Sequence, residues 1–395
     1  MAVAFSMAWR AEAVERRGAA GDDAAAGRSV GPLVAFRGAL YDCLTARRDA
    51  LFELCDAVLC SDGPVTSVAE LSLCPVFRRG HGALYDGLAE GGLDADLLRD
   101  ALVAALPEGL PLMFAVDVSA YPRPDAECSP DRTHCHAACR CDGERKTIPG
   151  WAYSRVTGVE WGSSSWVYPV DAVRLGPGDD QVEVTAGQVR GLVARLRAAG
   201  RAGQPVPMAI FDCGYPAAAL SDALAGVDVQ VLIRLGDEKR RVFYTDPPPP
   251  VAGRTGRPRR HGQRRKLSEA AGWPPADQTH VVPDTDRYGR VEVRAWHGLH
   301  QKLQARGRFA GEDAPEIVKG TVIQVKVERL PDGRVPHKTL WLWWTAPAGT
   351  PCDLDVLWRA YLRRFGAEHG FRFDKTVLGW TRAGCAPSRP TCGPG

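Results

Sequence analysis

The spacing of apolar residues changes character along the chain, and the changes divide it. Residues 1–32 are rich in Ala, Gly and charge and carry no sustained apolar period, so they are expected to be a disordered tail. From 33 to 110 the pattern is helical. Leu40, Leu44, Leu51, Leu54 and Val58 fall roughly on one stripe. Val68, Leu71 and Leu73 precede a proline, then the run Arg78-Arg79-Gly80-His81-Gly82, then Leu84, Tyr85 and Leu88. Two short helices around a basic turn can dock on DNA, which makes Arg78 and Arg79 candidate contacts. A plain helical bundle with a solvated basic corner fits the same pattern.

From Leu112 the period shortens. Leu112 to Val116 reads as a strand ending at Asp117, and Met208 to Phe211 as a strand ending at Asp212, with Cys213-Gly214-Tyr215 as a turn. Between them lie two strands, Trp151–Trp161 and Ser165–Val173, and an amphipathic helix, Thr185–Ala199. A helix with Ala217, Leu220 and Leu224 follows, then the apolar strand Val229–Leu235. This β-β-β-α-β-α-β order, with acids on the first and fourth strands, is the layout of a ribonuclease-H-like sheet. The expected fold is therefore α/β. A small helical domain (33–110) precedes a ribonuclease-H-like core (first part, 111–235), which a large β-rich insertion (236–350) interrupts. In the insertion, Pro247 to Pro250 cannot form helix or inner strand. Arg290–Trp296, Thr321–Glu328 and Lys338–Thr345 read as strands. Residues 351–381 should complete the core with a helix, and 382–395 form an irregular tail.

That helix is expected from Asp353 to about Val377. Asp353 can cap it, and Leu354, Leu357, Trp358, Tyr361 and Phe365 make its buried stripe. At about 100° per residue, Tyr361, Arg364, Glu368 and Lys375 fall within about 60° of one another. A surface ion-pair ladder would not explain why this row adjoins the apolar stripe. Carboxylates at the ends of buried strands are costly to desolvate, and a divalent cation offsets that cost. Asp117, Asp212 and Glu368 are thus candidate catalytic residues and metal ligands. Two metals so held clamp the attacking and leaving oxygens of a phosphodiester. Glu368 would hold a metal, while Arg364 and Lys375 would grip phosphates. Asp125, Glu127, Asp131, Asp179 and Asp180 sit in Pro- and Gly-rich loops, where solvated acids are the expectation.

Composition adds bounds. The 395 residues allow two or three domains, and 45% hydrophobic residues can build a core. A net charge of +3 says little, but its distribution says more. Arg254, Arg257, Arg259, Arg260, Arg264, Arg265 and Lys266 form a stretch without an acid, as a loop following a phosphate backbone would. No apolar run spans a bilayer and the start lacks a secretory pattern, so a cytoplasmic, nucleoid-associated protein without a membrane partner is expected. The 12 cysteines are expected to be mostly reduced. Cys128, His134, Cys135, His136, Cys139 and Cys141 crowd one loop, but their irregular spacing does not suit zinc, which is not expected. Trp296, Trp341, Trp343 and Trp344 are expected in the β core rather than stacked on a base.

The pattern Tyr361-x2-Arg364-x3-Glu368-x6-Lys375 resembles the Y-R-E-K signature of bacterial insertion-sequence transposases of the DDE superfamily. The segments Tyr361–Phe365, Glu368–Phe373, Leu378–Trp380, Arg78–Gly82, Pro149–Trp151, Asp212–Tyr215 and Gly256–Arg260 are similar to one actinobacterial branch, over about residues 33–381. The resemblance implies binding at terminal inverted repeats and two Mg²⁺ ions per site, with Mn²⁺ able to substitute. One ion would activate water and the other would stabilise the leaving 3′ oxygen. The freed 3′-OH would then join target DNA, with a homodimer on the paired ends. The chain departs from the family after Trp380, where no helical period continues. A C-terminal truncation or frameshift and weak or absent activity are therefore expected. A non-cleaving DNA-binding repressor derived from a transposase is the alternative, and a structure-selective nuclease is a third reading.

Overall fold

A computed structural model describes residues 23–65, 67–123, 130–137, 146–162, 166–201, 205–249, 259–304, 307–312 and 314–380. The chain falls into two compact units. The first comprises Met1–Pro111, Val118–Asp179 and Gly366–Gly395, the second Leu112–Asp117 and Asp180–Phe365.

The first unit opens with helices α1 (Asp23–Cys43), α2 (Arg48–Cys60), α3 (His81–Glu90) and α4 (Ala95–Ala104). Strands β1 (Leu44–Ala46) and β2 (Gly92–Leu93) pair antiparallel between them. Helix α1 is already running at Asp23, inside the stretch expected to be a tail, and carries Pro32 within it. Alanine favours helix without any apolar stripe, so periodicity could not find this start. Leu54, Ala57, Leu71, Phe77 and Leu84 form one buried cluster, and Leu40 and Leu59 a second. The basic turn is partly neutralised. Arg79 lies 2.7 Å from Asp49 and 3.6 Å from Glu53, whereas Arg78 is 81% exposed.

Strand β3 (Met113–Pro122) runs five residues beyond its expected end at Asp117, and its second half belongs to this first unit. With it lie β4 (Thr133–Ala137), β5 (Lys146–Val159) and β6 (Tyr168–Leu175). β4 and β6 both pair antiparallel with the long β5. The segment of β4 was expected to be a loop. Cys135 faces inward there and His134 outward, whereas Cys128, Cys139 and Cys141 lie outside the described residues. Arg155 on β5 forms a buried ion pair with Asp374, and its guanidinium lies 4.9 Å from the centre of the Phe371 ring. Burial pushes the Asp374 carboxyl up, against the pull of Arg155.

The second unit is a mixed sheet ordered β10–β9–β12–β13–β14–β8–β7–β3, with β11 also paired to β12. Its strands are β7 (Met208–Phe211), β8 (Gln230–Leu235), β9 (Val242–Tyr244), β10 (Arg264–Lys266), β11 (Gln278–Val282), β12 (Val291–His300), β13 (Lys319–Val327) and β14 (Leu340–Thr345). β3, β7 and β8 are parallel, as alternation with helices requires. Helix α5 (Gln181–Ala198) connects β6 to β7, and α6 (Ala217–Ala223) connects β7 to β8. Asp180 accepts hydrogen bonds from the Val182 and Glu183 amides, so it is a helix cap rather than a solvated loop acid. The β-rich segment extends this sheet, because β14 pairs antiparallel with β8. Trp341 and Trp343 are fully buried, and Trp296 and Trp344 nearly so, in keeping with a core role. Gly320 on β13 must be glycine, since a Cβ there would stand 2.4 Å from the Trp343 ring.

The basic stretch is not one loop. Arg264, Arg265 and Lys266 form strand β10, and Glu269 lies 3.2 Å from Arg264 and 3.4 Å from Lys266. Arg260 donates to the Ala314 carbonyl. Arg254 and Arg257 lie outside the described residues. Among the described residues no helix is long and apolar enough to cross a membrane.

The single long helix expected from Asp353 is instead three segments. Helix α7 (Leu354–Arg363), in the second unit, is capped by Asp353 through the Asp355 and Val356 amides. Helix α8 (Phe365–Arg372) and a wide turn (Phe373–Val377) follow. The break falls at Arg364, whose amide bonds back three residues to the Tyr361 carbonyl. Gly366 and Gly370 have a packing reason, for a Cβ at each would stand 3.2 and 3.0 Å from Val167 methyls.

Two stability outcomes follow from these contacts. Asp374→Ala leaves the Arg155 charge buried without its carboxylate and should lower unfolding free energy by about 3–5 kcal/mol. Gly320→Ala should cost about 1–3 kcal/mol by overpacking against Trp343. Urea denaturation followed by tryptophan fluorescence measures both.

Candidate active site

Two neighbouring parallel strands build the site. In the β3–β7 register, Ala115 faces Ile210 and Val116 faces Phe211. One residue further on, Asp117 and Asp212 therefore stand side by side, on strands about 4.8 Å apart. The preceding residues explain the precision. Phe114, Ala115, Val116, Ile210 and Phe211 are all within 1% of complete burial, so the strands are packed on both faces and a slip of one residue would exchange large and small side chains in a close-packed core. The two aspartates lie where this apolar register stops, with side chains 25% and 29% exposed.

Helix α7 supplies what faces them. Nη1 of Arg364 lies 3.1 Å from Oδ2 of Asp117, and Nη2 lies 3.7 Å from Oδ2 of Asp212. One guanidinium thus spans both carboxylates. Its side chain is only 6% exposed. The Tyr361 hydroxyl donates to Oδ1 of Asp212 at 3.2 Å, and the Arg364 guanidinium lies 5.8 Å from the centre of the Tyr361 ring. Burial, with Asp212 beside it, pushes the Tyr361 hydroxyl up to about 12, so it remains a donor at neutral pH. Burial pushes Asp212 up as well. The Arg364 charge, the Cys213 amide, Arg234 and the Tyr361 hydroxyl outweigh that and hold its carboxyl below the usual range. Asp212 is therefore ionised at neutral pH.

Arg234 on β8, 3.5 Å from Oδ1 of Asp212, was not anticipated. Its signal was present: a lone cation interrupts the apolar run Val231–Leu235. Two carboxylates and two guanidinium groups make this cluster.

Glu368 is on α8, in the first unit, four residues beyond Arg364, and is partly exposed. Lys375, also in the first unit, lies over the Tyr121 ring at 5.0 Å. The expected single helix is interrupted at Arg364, which itself keeps helical backbone angles. Among the described residues no three His, Cys, Asp or Glu side chains gather closely enough to hold one ion together.

The Asp117–Asp212 pair nonetheless suits a hard divalent cation. It offers carboxylate oxygens from two strands, converging closely enough to share one cationic group. Magnesium is commonly held by one or two carboxylates, with waters and substrate phosphates completing its shell.

No curated protein matches the chain. The family described as DDE superfamily endonuclease matches residues 39–302, which takes in both aspartates and stops before α7. Enzymes of this kind act on DNA and use divalent metals, typically Mg²⁺. With a match over more than half its length and two strand-end aspartates drawn together, the chain belongs to the DDE superfamily endonucleases.

Proposed function

We propose that this endonuclease is a transposase, which cuts DNA at terminal inverted repeats and joins the freed 3′-OH ends to target DNA. The observation that carries this reading is the convergence of Asp117 and Asp212 across the β3–β7 register, under a single guanidinium. A nuclease that hydrolyses or transfers phosphodiesters by metal-assisted in-line displacement needs carboxylates held rigidly at one place. The parallel β3–β7–β8 core, with α5 and α6 as its connections, supports a ribonuclease-H-like catalytic domain.

In this reading Asp117 and Asp212 are the paired ligands and Glu368 is the third. Bound divalent cations supply water activation at the attacking side and charge neutralisation at the leaving 3′ oxygen. Tyr361 and Arg234 fix Oδ1 of Asp212 and keep it ionised. Asp353 caps α7 and so sets where Tyr361 and Arg364 stand. Arg364 and Lys375 contact phosphates of the cut strand once DNA is bound, completing a Y-R-E-K set with Tyr361 and Glu368. Arg78, Arg254, Arg257, Arg259, Arg260 and Arg265 follow the backbone outside the cut site, while Arg79, Arg264 and Lys266 share their charge with Asp49, Glu53 and Glu269. Two subunits hold the paired ends.

The test uses duplexes carrying the DNA ends that flank this chain's own coding region, with Mg²⁺ as cofactor. The full chain should nick them and transfer the 3′ end to a target plasmid, which would also refute the weak or absent activity expected from the sequence. Asp117→Asn and Asp212→Asn should each reduce nicking by about a thousandfold or more. Specific binding without nicking by the unmodified chain would point instead to a DNA-binding repressor. Nicking without strand transfer would point to a nuclease.

A further inference from the structure

We propose that Arg364 is a resident counterion of the Asp117–Asp212 pair. It holds the two carboxylates together before a divalent cation arrives, and it lowers the affinity for that cation until DNA phosphate is present. The inference rests on reading the pair as a metal site.

The geometry separates this role from an ordinary ion pair. A single planar fork reaches one oxygen of each aspartate, at 3.1 and 3.7 Å. The two carboxylates come from different strands, so the fork is a cross-strand clamp on groups that would otherwise repel. The guanidinium lies on the inner side, 6% exposed, whereas the carboxylates are 25% and 29% exposed. A cation from solvent thus meets the carboxylates more readily than it meets the guanidinium. The Tyr361 ring beside the guanidinium limits where Arg364 can move.

Charge then decides the consequence. Asp117 and Asp212 carry two negative charges, and Arg364 and Arg234 balance them. A divalent cation entering between the carboxylates would face a nearby guanidinium of like sign, at a separation where such charges repel strongly in a partly buried site. Binding therefore requires either that Arg364 turn from the aspartates or that further negative charge arrive. A DNA phosphate supplies both needs. It adds negative charge beside the cation and offers the released guanidinium a two-oxygen partner. Metal and DNA binding become reciprocally favourable, each raising the affinity for the other. Arg364 acts here as a positioning residue, through the two aspartates.

The experiment is calorimetric titration of Mn²⁺ into the full chain without DNA, with thermal melts at matched Mn²⁺ concentrations. Arg364→Gln should bind Mn²⁺ about tenfold more tightly than the unmodified chain, or better, because the competing charge is gone. It should melt lower without metal and gain more from Mn²⁺. Arg364→Lys keeps a charge but loses the fork and should bind with intermediate affinity; it carries the test if the glutamine variant does not fold. Asp117→Asn should abolish binding in either background. Unchanged or weaker Mn²⁺ binding by Arg364→Gln and Arg364→Lys, with the Asp117→Asn loss intact, overturns the counterion role and leaves the metal site standing. Mn²⁺ binding that survives Asp117→Asn overturns the counterion role together with the metal reading beneath it.

Discussion

One guanidinium reaching two carboxylates on adjacent parallel strands is the constraint from which the second unit takes its meaning. Asp117 and Asp212 are neighbours only because Val116 faces Phe211. The side chains before them are packed on both faces of the sheet, and that close packing resists a slip. The charges are tolerable so close together only because Arg364 reaches both and Arg234 reaches one. Like charges at that distance disfavour joint ionisation, and opposite charges within about 4–6 Å restore it. The apolar packing of the strands and the polar cluster at their ends therefore form one device. Burial fixes the register, the register brings the acids together, and α7 supplies the compensating charge.

The β-rich segment serves the same end. It continues the core sheet through β14, β13 and β12 instead of standing apart. Trp343 stacks on Phe243 with ring centres 5.6 Å apart, and its indole N–H donates to Ser221 on α6. Helix α7 packs against β8, β11 and β12, and Tyr288 meets Trp358 edge to face. The strands that follow β8 in the chain thus form the platform for the helix that carries Tyr361 and Arg364. A long excursion between Leu235 and Leu354 is what allows that helix to return to the strand ends.

Much of this was legible in the residues, and the failures have physical causes. The strands before Asp117 and Asp212 were readable because both are short apolar runs broken by an acid. The strands of the excursion were readable from their β-branched and aromatic content. The start of α1 was hidden because alanine-rich helix needs no apolar stripe. Strand β4 was hidden because Cys, His and Thr look like ligands as readily as like an alternating strand. The break at Arg364 could not be seen either. Gly366 and Gly370 sit against Val167, a contact distant in sequence. The clamp itself was beyond sequence reasoning. Arg364 read as a phosphate ligand, and only the fold brings it beside the aspartates. Basic runs are less bare than the sequence suggests, since Asp49, Glu53 and Glu269 lie beside Arg79, Arg264 and Lys266.

The site can act as a nuclease centre of this kind only if the two strand-end aspartates share one divalent cation. Anomalous scattering from crystals of the full chain soaked in Mn²⁺ measures this directly. The expected result is a peak within about 2.0–2.3 Å of an oxygen from each of Asp117 and Asp212, with Arg364 turned from at least one of them. Manganese bound elsewhere in those crystals, with the guanidinium still spanning both carboxylates, would contradict it.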